Sequence, residues 1–183
     1  MEKFILTQPT GDYAGQIREY RQEFLDAGDS MDGCGPLRRL ADPEEYIQEC
    51  ENYEDPAKVP SHLVPATQFL FVRRRDSRLV GMIQVRHRLN DFLEKYAGHI
   101  GYSVRPSERR RGYAKEMLKM ALPFCREIGL DKVMITCNDG NTGSEKTILA
   151  NGGVYEYTIH EPSENVDLKR FWITLSDGSD VRN

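Results

Sequence analysis

The sequence predicts a single α/β (α+β) domain: a mixed, mostly antiparallel central sheet of about seven strands with helices on both faces. The length supports one domain, because 183 residues with 39% hydrophobic content can bury one adequate core. Hydrophobic periodicity predicts the element order β-α-α-β-β-β-α-β-α-β-β. That order is neither the alternation of a doubly wound fold nor an all-β pattern, and a mixed sheet covered by helices accommodates it. No repeat or low-complexity tract divides the sequence further.

The first 65 residues contain a short predicted strand followed by two predicted helices. In the first helix four apolar residues fall roughly on one stripe, and Gly28 provides the stop; the four are Ile17, Tyr20, Phe24 and Leu25. The second helix begins at Asp42-Pro43, a typical N-cap followed by a proline at the first helical position. The predicted bounds are a strand at 2–7 and helices at 13–27 and 42–53.

Six strands and two helices are predicted after residue 65. The first two strands form a hairpin with a two-residue turn at Asp76-Ser77. A long helix starts at Ala114, because apolar residues then recur at three- and four-residue spacing until Gly129. The predicted bounds are strands at 67–75, 78–88, 98–104, 133–137, 153–160 and 168–175, and helices at 114–128 and 142–150.

Charge is distributed unevenly along a sequence whose formal net charge is -4. Residues 1–60 carry 14 acids and 6 bases, residues 61–130 carry 6 acids and 14 bases, and residues 131–183 carry 9 acids and 5 bases. A nucleic acid would meet the acidic flanks as well as the basic middle, and aromatic residues do not interleave with Arg105 and the arginines at 109–111. We therefore expect no nucleic-acid partner, and a small, multiply charged anion suits the basic middle better. The run Arg73-Arg74-Arg75 is typical of a solvated edge strand.

The four cysteines, at positions 34, 50, 125 and 137, are widely spaced, and no histidines cluster near them. This spacing predicts no bound metal and no disulfide framework, and it favours reduced thiols that pack as small apolar side chains. The first nine residues lack the apolar stretch of a signal peptide, and no apolar run reaches the about 18 residues of a membrane span. We therefore expect a cytoplasmic protein with no membrane partner.

The segment from Arg105 to Ala114 reads RPSERRRGYA and lies between a predicted strand and a predicted helix. The first turn of a helix has unpaired N–H groups and partial positive charge, so it attracts anions. Gly112 lets a phosphate approach the backbone without meeting a Cβ atom, and three consecutive arginines add full positive charges. The segment is therefore a predicted site for a phosphate-bearing ligand.

Within this segment, the pattern Arg109-x-x-Gly112-x-Ala114 resembles the (Q/R)-x-x-G-x-(G/A) signature of the GNAT superfamily of N-acetyltransferases. In that superfamily the corresponding loop binds the pyrophosphate of acetyl-CoA. The position between a strand and a helix adds weight to the short motif. The stretches 86–90 and 98–102 resemble a bacterial subgroup of predicted acetyltransferases.

A second stretch is similar to the superfamily's segment after its fifth strand. Asn141 is followed three residues later by Ser144, and then by an Asn-Gly turn at 151–152. The resemblance covers about residues 67–175, while residues 1–60 match in element order more than in residues.

The resemblance implies an acetyl-CoA-dependent N-acetyltransferase that moves an acetyl group to a primary amine by direct attack in a ternary complex. It implies one domain over residues 1–183, with acceptor-side helices in 1–65 and the acetyl-CoA-binding core in 66–183. The acceptor is expected to be a small-molecule or peptide amine, no metal is expected, and a homodimer is compatible with the resemblance. The residues expected to bind acetyl-CoA are Val104, Arg105, Arg109, Arg110, Arg111, Gly112, Tyr113, Ala114, Asn138, Asn141 and Ser144.

Two catalytic groups common in the superfamily are absent from their usual places. The helix after Asn141 has no tyrosine to act as acid, and the strand that often carries a glutamate base offers His99 and Tyr102 instead. We therefore expect His99 to be the base, because imidazole titrates near neutral pH, and Tyr102 to be a second catalytic residue. The alternatives are a hydrogen-bonded structural histidine and a tyrosine packed in the core. The backbone N–H of Val104 is the expected donor to the thioester carbonyl.

The helices expected on the acceptor side are acidic, which favours a cationic acceptor such as a polyamine or a lysine side chain. The alternative is that these acids only cap helices and keep the surface polar. A rival function, a catalytically silent acyl-CoA-binding or sensing domain, would keep the loop at 109–114 and lack a proton pathway. The acids of the expected wall are Asp26, Asp29, Asp32, Glu44, Glu45 and Glu49.

Overall fold

The computed structural model describes residues 2–175 as seven strands and four α-helices, with short 3-10 and π turns between them. The predicted order of strands and helices is confirmed. None of the helices in this range is long and apolar enough to cross a bilayer. The bounds are β1 Phe4–Thr7, α1 Ala14–Ala27, α2 Pro43–Glu54, β2 Ala66–Arg73, β3 Arg78–Arg86, β4 Ile100–Val104, α3 Tyr113–Glu127, β5 Lys132–Asn138, α4 Thr142–Leu149, β6 Val154–Glu161 and β7 Val166–Thr174.

The first two helices begin and end for the reasons visible in the sequence. Gly28, at the C-terminal end of α1, adopts a left-handed conformation with φ of 65°, and its N–H donates to the last turn. Asp42 caps α2, because its side chain accepts a hydrogen bond of 2.9 Å from the backbone N–H of Glu44. The predicted apolar stripe of α1 is confirmed, since Ile17, Tyr20 and Phe24 are fully buried.

The seven strands form a mostly antiparallel arrangement that is divided into two parts. Strands β1-β2-β3-β4 pair in that order, and β5-β7-β6 form a second group. An isolated bridge between Gly98 and Ile135 joins the two groups beside β4 and β5. The predicted number of strands and their covering by helices are confirmed, while the ladder is four plus three strands and not seven continuous ones.

The hairpin between β2 and β3 is longer than predicted. Arg73 lies opposite Arg78, so four residues, 74–77, connect the strands. Ser77 adopts a left-handed φ of 52° in this turn. The two-residue turn predicted at Asp76-Ser77 is therefore wrong, because β2 ends at Arg73, two residues earlier than predicted, while β3 begins at Arg78 as predicted.

Two apolar cores cover the two faces of the four-stranded group. One core packs α3 and α4 residues such as Met117 and Ile148 against Phe71 and Ile83. The other packs α1 and α2 against the opposite face, with Met82 in its centre. Period-two alternation along β2 and β3 supplies both cores from the same strands. All four cysteines are free and buried, as expected for small apolar side chains.

Candidate active site

Strands β4 and β5 diverge beyond the bridge at Gly98 and Ile135 and leave a cleft of about 720 Å³ between them. Residues 100–104 of β4 line one side, and residues 136–138 of β5 line the other. The N-terminal ends of α3 and α4 close one face, and the loop after α1 closes the other. Gly33 in that loop packs so closely on β4 that a Cβ atom there would lie 2.1 Å from the carbonyl oxygen of Gly101.

The N-terminus of α3 opens into the cleft. Gly112 is the N-cap, with φ of 79° and no side-chain cap hydrogen bond to the helix, and a Cβ atom at this position would meet nothing within 4 Å. The preceding Arg110 also lies in the left-handed region, with φ of 64°. The first N–H groups of α3 are therefore available to an anion in open space, which is the arrangement predicted from the sequence.

Arg109 connects this loop to the opposite side of the cleft. Its Nε donates to the carbonyl oxygen of Val104 at 3.1 Å, and its Nη1 lies 2.7 Å from Oδ2 of Asp29 in the loop after α1. The guanidinium also lies over the ring of Phe24, 5.6 Å from the centroid. Arg109 is thus placed at the rim of the cleft by contacts with both halves of the chain.

A buried ion cluster supports the loop from behind, and the sequence did not predict it. Arg73 is 4% exposed and donates to both carboxylate oxygens of Glu108, at 2.8 and 3.2 Å. Arg78 and Arg111 also lie 3.1 Å from that carboxylate. These basic groups hold the pKa of Glu108 below its ordinary value although burial opposes the shift. Arg73 is therefore not a solvated edge residue, because β1 pairs with β2 on its outer side.

Most of the residues expected at the acetyl-CoA site lie together in the cleft, and two lie elsewhere. Arg105 and Arg111 are absent from the cleft walls, and the hydroxyl of Tyr113 points away from the cleft to donate to Glu2. Two further cations that the sequence did not single out, Lys115 and Lys146, line the cleft. The expected residues that line it are Val104, Arg109, Arg110, Gly112, Tyr113, Ala114, Asn138, Asn141 and Ser144.

Arg105 is separated from the cleft by its contacts with α1. Its side chain is 2% exposed, lies 3.6 Å from Glu23 and 3.9 Å from Glu19, and stacks over Tyr20. The acids of α1 attract it to the opposite face of β4. The sequence placed Arg105 in the phosphate loop because it precedes Pro106, but strand alternation directs its side chain away from that loop.

The N-terminus of α4 brings Tyr102 and Ser144 together. The Asn141 side chain accepts a hydrogen bond of 3.1 Å from the N–H of Ser144 and so caps the helix. The Ser144 hydroxyl lies 2.8 Å from the hydroxyl of Tyr102, which reaches across from β4. Burial raises the pKa of Tyr102 well above its ordinary value, so the phenol remains protonated at neutral pH. Tyr102 therefore presents a hydroxyl to the cleft wall as well as packing against the core.

His99 lies at the bridge between the two strand groups and is not among the described cleft-lining residues. The ring Nδ1 of His99 accepts a hydrogen bond of 3.0 Å from the backbone N–H of Met134. The backbone N–H of His99 donates to the carbonyl oxygen of Met134. Burial and the nearby Arg86 lower the pKa of His99 to about 4. A neutral imidazole with Nδ1 as acceptor carries its hydrogen on Nε2, so no free lone pair remains for a base. The Nδ1 lone pair is thus used in a hydrogen bond to the backbone, which favours the structural alternative for His99.

The backbone of Val104 is directed as expected for a carbonyl-binding group. The N–H of Arg105 donates to the carbonyl of Val80 on β3. Because backbone groups alternate in direction along a strand, the N–H and C=O of Val104 point to the opposite, open edge. The bond from Arg109 to the Val104 carbonyl agrees with this direction.

The expected acidic wall is not assembled. Of its six acids only Asp29 and Asp32 line the cleft, and Asp29 is paired with Arg109. Glu49 pairs with Arg39 instead. Asp26 accepts from a glutamine on its own helix. Two acids of the predicted segment reach the cleft, and the directions of the other side chains depend on helix packing.

No group of three or more acidic, histidine or cysteine side chains that could hold a metal ion occurs within residues 2–175. The polar groups of the cleft instead fit an elongated anionic ligand. A glycine N-cap in open space, uncapped helix N–H groups and the cations at 109, 110, 115 and 146 lie along one cleft.

Comparison with known proteins identifies the family and the fold of the chain. A family model described as an acetyltransferase (GNAT) domain matches residues 6–154. No curated protein matched the sequence.

Several solved structures share the fold at low sequence identity. The ribosomal-protein-S5-alanine acetyltransferase from Vibrio fischeri has a TM-score of 0.72 at 16% identity, with 97% of this chain and 96% of that chain covered. The microcin C7 self-immunity acetyltransferase, solved in complex with acetyl-CoA and AMP, has a TM-score of 0.67 at 16% identity over 94% and 92% of the two chains. A dodecameric spermidine N-acetyltransferase from Vibrio cholerae has a TM-score of 0.65 at 14% identity over 98% of each.

Two of these acetyltransferases name different acceptors, an alanine of ribosomal protein S5 and spermidine, so the likeness extends to the fold and not to the substrate. The family match spans most of the chain, including the loop at 109–114 and the strands that form the cleft. This chain therefore belongs to the GNAT family of acetyltransferases.

Proposed function

We propose that the protein is an acetyl-CoA-dependent N-acetyltransferase that acetylates a primary amine by direct attack in a ternary complex. The observation that supports this most is the cleft between β4 and β5, which opens onto the uncapped N-terminus of α3. Acetyl-CoA supplies the thioester, and the acceptor amine enters from the side of the α1–α2 loop. Residues 1–65 then serve the acceptor and residues 66–183 the acetyl-CoA, as the sequence predicts.

The pyrophosphate of acetyl-CoA is proposed to bind at the start of α3. Gly112 and Ala114 offer backbone N–H groups, and Arg110 offers a cation in the same cleft. Arg109 fixes the loop through Val104 and Asp29 as well as adding charge. Asn138 at the end of β5 and Ser144 in the first turn of α4 also line the cleft, where they can contact the part of acetyl-CoA between the pyrophosphate and the thioester.

The proposed chemistry uses one backbone group and one phenol. The N–H of Val104 donates to the thioester carbonyl and stabilises the negative charge that develops when the amine nitrogen attacks the carbonyl carbon. As the carbon–sulfur bond breaks, the Tyr102 hydroxyl gives its proton to the sulfur and recovers a proton through the Ser144 hydroxyl at 2.8 Å. The proton of the amine leaves to solvent water in the open cleft.

The acceptor is proposed to be an amine, and comparison of cationic with neutral amines as acceptors tests whether it carries further positive charge. A cationic acceptor was expected from the acidic first third of the sequence, and Asp29 and Asp32 are the acids that could attract it in the cleft. A cytoplasmic location and a homodimer stay predictions, which cell fractionation and light scattering test directly.

The substitution Gly112→Asp tests the acetyl-CoA site. It adds a Cβ atom and a negative charge where the pyrophosphate is proposed to bind, so acetyl-CoA affinity measured by calorimetry should fall about tenfold or more. Gly129→Asp is the matched control, because Gly129 also has a positive φ (87°) and open space around it but lies beyond the other end of α3. Equal affinity in the two folded variants would reject the site.

Thiol release from acetyl-CoA with a panel of amines separates the enzyme from the silent domain. Binding of acetyl-CoA without thiol release for any amine in the panel would favour the acyl-CoA-binding or sensing alternative. Release that depends on an amine, with the acetylated amine found by mass spectrometry, supports the transferase.

A further inference from the structure

We propose that Arg86 binds a carboxylate of the acceptor, so that the acceptor is an amine that also carries a carboxylate group. This inference rests on the proposed function and specifies its substrate class. Arg86 is the last residue of β3, and its side chain lines the cleft near the bridge at Gly98. It was not among the site residues expected from the sequence.

Arg86 lies on the face of the sheet opposite the acetyl-CoA loop. Met82 on β3 packs into the core beneath α1 and α2, and period-two alternation places Arg86 on the same face. A Cβ atom on Gly101 of β4 would lie 3.7 Å from Nη2 of Arg86, so the guanidinium sits beside β4 within the cleft. An acceptor entering past the α1–α2 loop meets this group.

The guanidinium has unused hydrogen-bonding capacity. Its Nη1 donates to the carbonyl oxygens of Gly98 at 3.0 Å and Ala97 at 3.4 Å. A guanidinium has five N–H donors. Among residues 2–175, no hydrogen bond is made by Nε or Nη2 of Arg86. The N–H groups left over are arranged as a fork that matches a carboxylate.

Arg86 also has no carboxylate within ion-pair distance, in contrast to the three most buried arginines among residues 2–175. Arg73 contacts Glu108 at 2.8 Å, Arg105 lies 3.6 Å from Glu23, and Arg170 lies 3.0 Å from Glu156. No carboxylate in the described range lies within 4.0 Å of Arg86. Burial lowers the pKa of Arg86, and the more distant Asp32 opposes that shift. A partly buried cation without a counter-ion is costly, and an anionic ligand removes that cost.

The test uses acceptors that differ only in the group that Arg86 is proposed to bind. The pairs are β-alanine and β-alaninamide, 4-aminobutyrate and 4-aminobutyramide, and 6-aminohexanoate and 6-aminohexanamide, which place the anion at three distances from the amine. Thiol release from acetyl-CoA is measured for the wild type and for Arg86→Gln, Arg86→Lys and Arg88→Gln. Arg88 is exposed, does not line the cleft and serves as the matched control.

The wild type should prefer the carboxylate member of at least one pair tenfold or more in kcat/KM. Arg86→Gln should abolish that preference through a rise in KM, Arg86→Lys should retain part of it, and Arg88→Gln should retain all of it. Equal use of both members by the wild type, or an equal loss on both in Arg86→Gln, would overturn the proposal and leave Arg86 as a support for the carbonyls at 97 and 98.

A binding measurement keeps this inference separate from the proposed function. If no amine supports thiol release, thermal melting in the presence of CoA still reports on the carboxylate site. The proposal then requires that a carboxylate amine, and not its amide, raises the melting temperature of the wild type, fails to do so in Arg86→Gln and raises it by a smaller amount in Arg86→Lys. Failure of acetyl-CoA to bind, by contrast, counts against the proposed function alone.

Discussion

At the scale of single residues, Glu108 shows how a motif can contain a second function. It stands within the arginine-rich loop, yet its carboxylate is turned inward to Arg73, Arg78 and Arg111. The buried pair fixes the backbone just before Gly112, whose open φ of 79° the proposed phosphate site requires. An acid in a basic run is thus what allows the neighbouring cations at 109 and 110 to face the cleft.

Replacing Glu108 by glutamine should destabilise the protein by about 3 kcal/mol at neutral pH, because Arg73 loses its buried counter-ion. The pKa of Glu108 is lowered in the folded state, so its stabilisation is present above the ordinary glutamate pKa and is lost as the pH falls through the folded value. The stability difference between wild type and Glu108→Gln, measured by urea unfolding, should therefore shrink from pH 7 to pH 3. The exposed control Glu94→Gln should change stability by less than about 0.5 kcal/mol. A difference that stays constant with pH would contradict this role of the carboxylate.

The Tyr102 hydroxyl is the second residue-scale prediction. Tyr102→Phe removes the proposed proton donor but keeps the ring, so kcat should fall about 100-fold while acetyl-CoA affinity changes little. Tyr157→Phe, on an exposed ring far along the chain on β6, is the control. If Tyr102→Phe keeps its kcat, the phenol acts only in packing and in its hydrogen bond to Ser144.

At the scale of elements, the α1–α2 loop links the two halves of the site. Gly33 fits against β4 only because it has no Cβ atom, and Asp29 reaches Arg109 across the cleft. Composition predicts this loop as part of an acceptor wall, but its packing shows that it also contacts the loop at 109–114 through Arg109. The net charge of a segment does not show whether its acids face the acceptor or pair with the loop at 109–114.

Asp29→Asn should therefore act on acetyl-CoA more than on the acceptor. The exposed pair with Arg109 contributes at most about 1 kcal/mol to stability, so the variant should fold normally. Loss of the negative charge frees Arg109 for phosphate, and acetyl-CoA should bind a few-fold more tightly at low salt. Asp26→Asn is the control, because Asp26 belongs to the expected acidic wall but does not line the cleft.

The acidic-wall hypothesis predicts a different outcome for the same loop. If Asp29 and Asp32 attract a cationic acceptor, replacing both by asparagine should reduce catalytic efficiency on cationic amines at low salt and spare neutral amines. Equal effects on both acceptor classes would reject the wall and leave the pairing of Asp29 with Arg109 as its function.

At the scale of the whole molecule, His99 joins the two groups of strands at the point where they diverge. It contacts Met134 through both its backbone and its Nδ1, beside the bridge from Gly98 to Ile135. Because the cleft begins there, we expect these hydrogen bonds to hold β4 and β5 together at the point where they diverge. On this expectation His99 positions a site that its ring does not line.

His99→Gln tests that role against the role of base. The pKa of His99 falls from 6.5 to about 4 on folding, so wild-type stability should decrease as the pH drops through that window, where the unfolded chain takes up a proton that the native state refuses. His99→Gln should show a shallower decrease in thermal melts over the same window. Its activity should keep any limb of the pH profile near neutrality, and loss of that limb would restore His99 as the base.

The sequence by itself determined the order of the elements, the covering of the sheet by helices on both faces, the helix caps at Gly28 and Asp42, and the uncapped start of α3 after Gly112. These are local properties, because periodicity, capping and glycine geometry act within a few residues. Only the tertiary structure decided that Arg105 turns to α1, that Asp29 pairs with Arg109, and that Nδ1 of His99 accepts a hydrogen bond from the backbone of β5. The direction of a charged side chain is set by partners that are distant in the sequence. Because a buried charge or lone pair without a partner is costly, the fold selects the arrangement in which each has a partner.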